Sequence, residues 1–112
     1  MIIEQILVER LNRVLGVSVV AEESSPVVPR EVVLEKIGSS RENFITTSMI
    51  SAKSYAESLH EAAQLNEEVK EAMFDSVVLD EVSGCSLNSE YNNTDTVRKR
   101  YCYRAVFNIT HF

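Results

Sequence analysis

The chain has 112 residues, 45% of them hydrophobic and 25% charged, which fits one globular domain and excludes a disordered segment. Its net charge is −6, from 17 acidic and 11 basic side chains, and that balance disfavours wrapping on nucleic acid, where phosphate binding needs clustered Lys and Arg. The longest apolar run is far short of a membrane span, and Glu4 interrupts the opening Met1-Ile2-Ile3 too early for a signal peptide, so the expectation is a soluble protein, intracellular where it is made.

The spacing predicts a first helix over residues 2–15. Ile3, Ile6, Leu7, Leu11, Val14 and Leu15 recur at three- and four-residue steps and form one apolar stripe. Gly16 suits the stop. A short strand is expected over residues 17–22, then a loop over 23–29 that carries Pro26 and Pro29. Residues 31–38 read as a second strand and 38–43, with Gly38-Ser39-Ser40, as a turn or loop. Residues 44–52, rich in Ile and Thr, read as a third strand.

Ser54 followed by Glu57 has the spacing of a capping box, which predicts a helix over residues 55–76 with an apolar stripe of Tyr55, Leu59, Ala62, Ala63, Val69, Ala72 and Met73. Residues 77–91 read as a strand bulged at Gly84. Tyr91-Asn92-Asn93-Thr94-Asp95 is a polar turn. In the last strand Tyr101, Tyr103, Ala105, Phe107 and Ile109 alternate with Cys102, Arg104, Val106, Asn108 and Thr110. The order α-β-β-β-α-β-β defines an α+β fold, a mostly antiparallel sheet with both helices packed on one face.

Charge is unevenly placed. Glu57, Glu61, Glu67, Glu68, Glu71, Asp75, Asp80 and Glu81 make an acidic middle relieved by Lys70, while Arg98, Lys99, Arg100 and Arg104 make a basic patch near the end. A solvated surface accounts for this pattern, and head-to-tail contact between copies would use it. Cys85 and Cys102 read as small buried thiols of neighbouring strands rather than as a disulfide.

Motifs for chemistry are weak. The three glycines, Gly16, Gly38 and Gly84, are scattered and make no phosphate loop. His60 with Glu57 and Glu61 is read as an exposed helix face rather than a metal half-site, and His111 has no sequence partner for catalysis. The loop serines Ser24, Ser25, Ser39 and Ser40 lack a nucleophile-elbow context. Tyr91, Tyr101, Tyr103 and Phe107 are read as core rather than as a stacking platform for bases. No catalytic residues, no cofactor and no metal are expected.

The order of elements, the body Ala62-Ala63-Gln64-Leu65-Asn66-Glu67-Glu68-Val69, and the final hairpin with Tyr91-Asn92-Asn93-Thr94-Asp95-Thr96, Arg100-Tyr101 and Ala105-Val106-Phe107-Asn108-Ile109 resemble the tail terminator (tail completion, neck) proteins of long-tailed, lambda-like phages and prophages. The resemblance departs at Arg98-Lys99 before the Arg-Tyr pair and at Cys102 after it. It implies a structural virion protein with no catalytic residues. Such a protein forms a homo-oligomeric ring, usually a hexamer, at the head-proximal end of the tail tube. The ring stops tube polymerisation, offers a surface to a head-completion or connector protein, and lets DNA pass through its lumen without specific binding. It implies a place in the virion tail or neck, and in the host cytoplasm during assembly, with no membrane.

Within that frame Arg98, Lys99, Arg100 and Arg104 are candidates for meeting the acidic surface of a neighbour. Pro26 and Pro29 in one loop, and Arg41 in another, are candidates for touching the tube or connector. The alternatives are a head-closure or head–tail joining component, a small α+β ligand-binding or regulatory module with an apolar pocket, and, with least support, a small enzyme.

Overall fold

The structure, a computed structural model, describes residues 2–22, 28–98 and 100–111. Its elements are α1 (Ile3–Val14), β1 (Ser18–Val20), β2 (Glu31–Glu42), β3 (Ile45–Ala56), α2 (Leu59–Asp75), a short 3₁₀ turn (Ser76–Val78), β4 (Val82–Asn92) and β5 (Tyr101–His111). The strands form one sheet in the order β1-β2-β3-β5-β4. β1 runs parallel to β2, and every other neighbouring pair is antiparallel. The α+β architecture expected from the sequence is the one observed.

Both helices lie on one face of the sheet. Ile3, Leu7 and Leu11 of α1 and Leu65, Val69, Ala72 and Met73 of α2 close over Leu34, Ile50, Ala52, Ala105, Phe107 and Ile109 in a single core. The Phe74 ring meets the Phe107 ring edge-on, with centroids 5.9 Å apart and planes at 78°, a favoured aromatic geometry. Asn12 ties α1 to β1. Its amide donates to the carbonyls of Val8 and Val19, and its Oδ1 accepts from Val19 N at 3.0 Å, so a side chain supplies hydrogen bonds that a further strand would have given.

Three local expectations are corrected. First, α2 begins at Leu59, and its cap is Ser58, whose Oγ accepts from Glu61 N at 3.1 Å. Ser54 instead stays in β3, paired with Val32 and Tyr103. The strand runs on because Ser48, Ala52, Ser54 and Ala56 are small and buried, leaving α2 room to lie close. Second, residues 38–42 are strand rather than loop. Antiparallel pairing with the Thr-rich start of β3 overrides the Gly-Ser-Ser composition, and the irregularity shrinks to a bulge between Lys36 and Gly38. The turn is the two residues Asn43-Phe44, both with positive φ (51° and 67°), as a type I′ hairpin requires.

Third, β4 starts at Val82, because Ser76–Val78 completes the helix end in a 3₁₀ turn, with Ser76 Oγ donating to Met73 O at 2.6 Å. The predicted bulge at Gly84 is present, and a second register shift follows between Leu87 and Ser89. A Cβ at Gly84 would come within 3.3 Å of Thr110 Oγ1, so the glycine lets the two strands close up there.

The alternation in β5 is observed, with Ala105, Phe107 and Ile109 in the helix-covered core. Tyr91 and Tyr101 depart from the core expectation. Tyr91 is 43% exposed and Tyr101 37% exposed. Tyr101 lies at the strand's beginning, opposite Ala56, and Tyr91 lies on the other face of the sheet, opposite Arg104.

Candidate interaction surface

The strand register defines the second face, over which no helix lies among the described residues. One row across it reads Val20, Val33, Lys53, Arg104, Tyr91; the next reads Glu35, Ser51, Val106, Ser89. Lys53 and Arg104 are therefore direct cross-strand neighbours at the middle of the sheet. Like charges so placed repel. Arg104 is partly held by Ser51, whose Oγ accepts from its Nε at 2.7 Å, and its guanidinium lies 6.0 Å from the Tyr91 ring centroid. Ser51 and Val106 beside it are nonetheless buried by the surrounding side chains. In a chain of net charge −6 this is a local concentration of positive charge on a bare surface.

The pole of the sheet at which β5 begins is locked differently. Glu31 is fully buried, and Arg100 reaches its Oε1 at 2.9 Å, with only 9% of the arginine side chain exposed. The same guanidinium donates to Val28 O at 3.2 Å and stacks 3.8 Å above the Tyr55 ring. Val33, Tyr55 and Cys102 form a small second core beneath it. Burial pushes the Cys102 thiol up to about 11, and burial does the same to Cys85. Cys85 sits opposite Ile109 on the helix-covered side, so the two thiols lie in neighbouring strands on opposite faces, and both are free.

Between β4 and β5 the connection is organised by Asp95. Its Oδ1 accepts from the amides of Val97 and Arg98, Arg98 Nε donates to its Oδ2 at 2.8 Å, and its backbone pairs with Arg100. The side-chain hydrogen bond from Arg98 holds the Asp95 carboxyl below its ordinary range. Asn92 makes a second local turn, its Oδ1 accepting from Thr94 N and Oγ1.

The residues singled out from sequence thus go to separate places. Arg98 serves its own loop, Arg100 is turned inward, and Arg104 alone lies on the bare face. Arg41 is exposed near the far tip of the β2–β3 hairpin and Pro29 is exposed just before β2. Pro26 and Lys99 lie outside the described residues, as do Ser24 and Ser25. Glu57, His60 and Glu61 are exposed, and among the described residues no three His, Cys, Asp or Glu side chains group in a way that would hold a metal. His111 shares a 2.8 Å hydrogen bond with Ser48.

Sequence reasoning missed Lys53 and Phe44. The i, i+2 run Ser51, Lys53, Tyr55 carried the first signal, since it puts Lys53 on the face opposite Ala52 and Ser54. Phe44 is 83% exposed and was hidden inside what read as an ordinary strand start. A groove of about 510 Å³ runs between the C-terminal parts of α1 and α2, and Arg10, Glu68, Glu71 and Asp75 make up half its lining. Val14, Leu15, Gly16 and Ala72 make up the other half, so the groove pairs an apolar floor with a charged rim.

No helix among the described residues is long and apolar enough to cross a membrane. Compared with known proteins, the chain matches no family model and no curated protein.

Proposed function

We propose that this protein is a structural component of a phage or prophage virion, a tail terminator that forms a ring at the head-proximal end of the tail tube and stops its growth. The observation that carries the reading is the second sheet face: among the described residues no helix covers it, and it bears Lys53 and Arg104 side by side on the inner strands β3 and β5, with Tyr91 beside them on the edge strand β4. Two cations held side by side on an uncovered sheet face support a contact with an acidic surface of another protein. The two sheet edges support the same reading. β4 is an edge strand of 11 residues, and β1 covers only the first residues of β2, so long rows of backbone groups stay open to pairing.

The resemblance of element order and final hairpin supplies the partner class. The ring presents one surface to the tube and another to a head-completion protein, and DNA passes through the centre. Its acidic balance suits a channel to which DNA must not adhere.

The test is to polymerise the tail-tube protein encoded beside this chain, with and without it, and to measure tube length by electron microscopy and mass by sedimentation. Short capped tubes with a terminal ring support the proposal. Tubes of unchanged length at excess protein, with no co-sedimentation, overturn it. Binding to a portal-proximal connector instead of the tube assigns the chain to head closure.

A further inference from the structure

The β2–β3 hairpin ends in a turn built at a cost. Both central residues have positive φ, and glycine is the residue that tolerates this at the second position. Here that position holds Phe44, a side chain whose Cβ makes the left-handed region unfavourable, at φ 67°. Packing among the described residues offsets little of the strain, because the ring is 83% exposed at the tip of two twelve-residue strands. A large aromatic that is both strained and solvated gains little for the fold, which makes it a candidate for a contact outside the chain. Ile45 beside it is 39% exposed, and Arg41 and Glu42 flank the turn, exposed as well.

The candidate receptor is a groove lined by none of the hairpin's own residues. The groove between α1 and α2 has a volume of about 510 Å³, enough to take a phenyl ring and its neighbour. Val14, Leu15 and Ala72 supply its apolar lining, and Glu71 and Asp75 supply acid. Arg10 supplies one base, whose Nε is buried without a hydrogen-bond partner among the described residues. The charges match in both directions: Arg41 of the tip suits Glu71 and Asp75, and Glu42 suits Arg10.

We propose that the Phe44 tip of one copy docks in the α1–α2 groove of the next, giving a head-to-tail contact between copies of this chain. Tip and groove are different surfaces, so the contact is heterologous and propagates until a ring closes. The inference rests on the ring reading and deepens it by naming its self-interface, and its first test is self-association of the chain alone.

The experiment compares wild type with Phe44→Gly and Val14→Arg by sedimentation velocity and thermal melting. Phe44→Gly installs the preferred Asn-Gly turn, so the melting temperature rises by about 3 °C while self-association weakens at least about 30-fold. Those opposite signs separate docking from folding. Val14 is 47% exposed at the helix end, so Val14→Arg fills the groove without disturbing the core and abolishes association likewise. An equimolar mixture of the two variants retains one intact tip and one intact groove per pair, and forms 1:1 dimers but nothing larger.

A wild-type chain that stays monomeric at the highest attainable concentration overturns the inference. So does a Phe44→Gly chain that associates as wild type does, or a mixture that stays monomeric. Tube capping retained by Phe44→Gly sinks the inference alone, whereas a wild-type chain that self-associates but ignores the tube sinks the terminator reading alone.

Discussion

Removing the carboxylate of Glu31 is expected to destabilise the fold more than any surface change. Glu31 is completely buried, its Oε1 lies 2.9 Å from Arg100 Nη2, and the arginine side chain is only 9% exposed. Glu31→Ala takes away the counter-charge of a guanidinium that the Tyr55 ring and the Val28 carbonyl still hold in place. Breaking one half of a buried pair costs about 3–5 kcal/mol, because the remaining charge keeps its desolvation penalty. With a denaturant slope of about 1.5 kcal/mol per molar urea for a domain of this size, the midpoint falls by about 2–3 M. The double variant Glu31→Leu/Arg100→Met removes both charges while keeping apolar bulk. It is expected to lie within about 1 kcal/mol of wild type, since a buried ion pair barely exceeds its own desolvation cost. Urea titration followed by far-UV circular dichroism reads all three chains. A Glu31→Ala midpoint within about 0.5 M of wild type, or a double variant no better than the single one, refutes the reasoning. The same geometry dictates which arginine can probe an interface. Arg100→Glu would face Glu31 with a second buried carboxylate and unfold the chain, whereas Arg104→Glu changes the bare face and keeps the lock.

Two further outcomes follow from the capping and thiol geometry. Ser58→Ala removes the acceptor for Glu61 N and should cost about 1 kcal/mol in urea denaturation, while Ser54→Ala should cost nothing or stabilise, because Ser54 Oγ is buried without a hydrogen-bond partner among the described residues; equal losses at the two positions would contradict the assignment of Ser58 as the cap. Burial raises both thiols from an ordinary 9.0 to about 11, so in the unfolded chain they ionise first, and the stability they contribute is full below pH 9 and is lost as pH rises through 11. The urea midpoint of wild type should therefore fall more steeply between pH 9 and pH 11 than that of Cys85→Ala/Cys102→Ala, and parallel curves would show that the thiols are not held neutral by the fold.

Most of the architecture was legible because apolar periodicity is a physical requirement of burial. The α1 stripe through Ile3, Leu7 and Leu11, and the β5 alternation through Ala105, Phe107 and Ile109, are core residues in the structure. Boundaries were less legible where composition and tertiary pairing disagree. Gly38-Ser39-Ser40 reads as a loop in isolation, but eleven cross-strand partners along β2 and β3 hold it extended. Ser54 and Ser58 both precede a glutamate by three residues, and sequence alone does not say which is free of the sheet. The exposure of Tyr91 was hidden because the side of a strand covered by helices is a property of the whole fold. The hydrogen bonds of Asn12 to β1 left no periodic trace at all.

The basic cluster near the C-terminus shows why charge in sequence is a poor map of charge in space. Arg98, Arg100 and Arg104 are two or four residues apart, yet one closes a loop on Asp95, one is sealed against Glu31, and one lies on the open sheet. Strand geometry alone puts Arg98, Arg100 and Arg104 on the same side of an extended chain. What separates them is that the strand begins only at Tyr101, so Arg98 and Arg100 belong to the connection, where Arg98 folds back on Asp95 and Arg100 turns across to Glu31. The positive charge lost from the predicted patch is recovered from another strand, since Lys53 is brought opposite Arg104 by the β3–β5 register. The surface proposed for a partner is therefore a cross-strand feature rather than a run in the sequence. Its defining pair is two cations held side by side, an arrangement that repels itself in the free chain. An acidic group from a partner placed between Lys53 and Arg104 would relieve that repulsion, so the pair stabilises a complex more than it stabilises the fold.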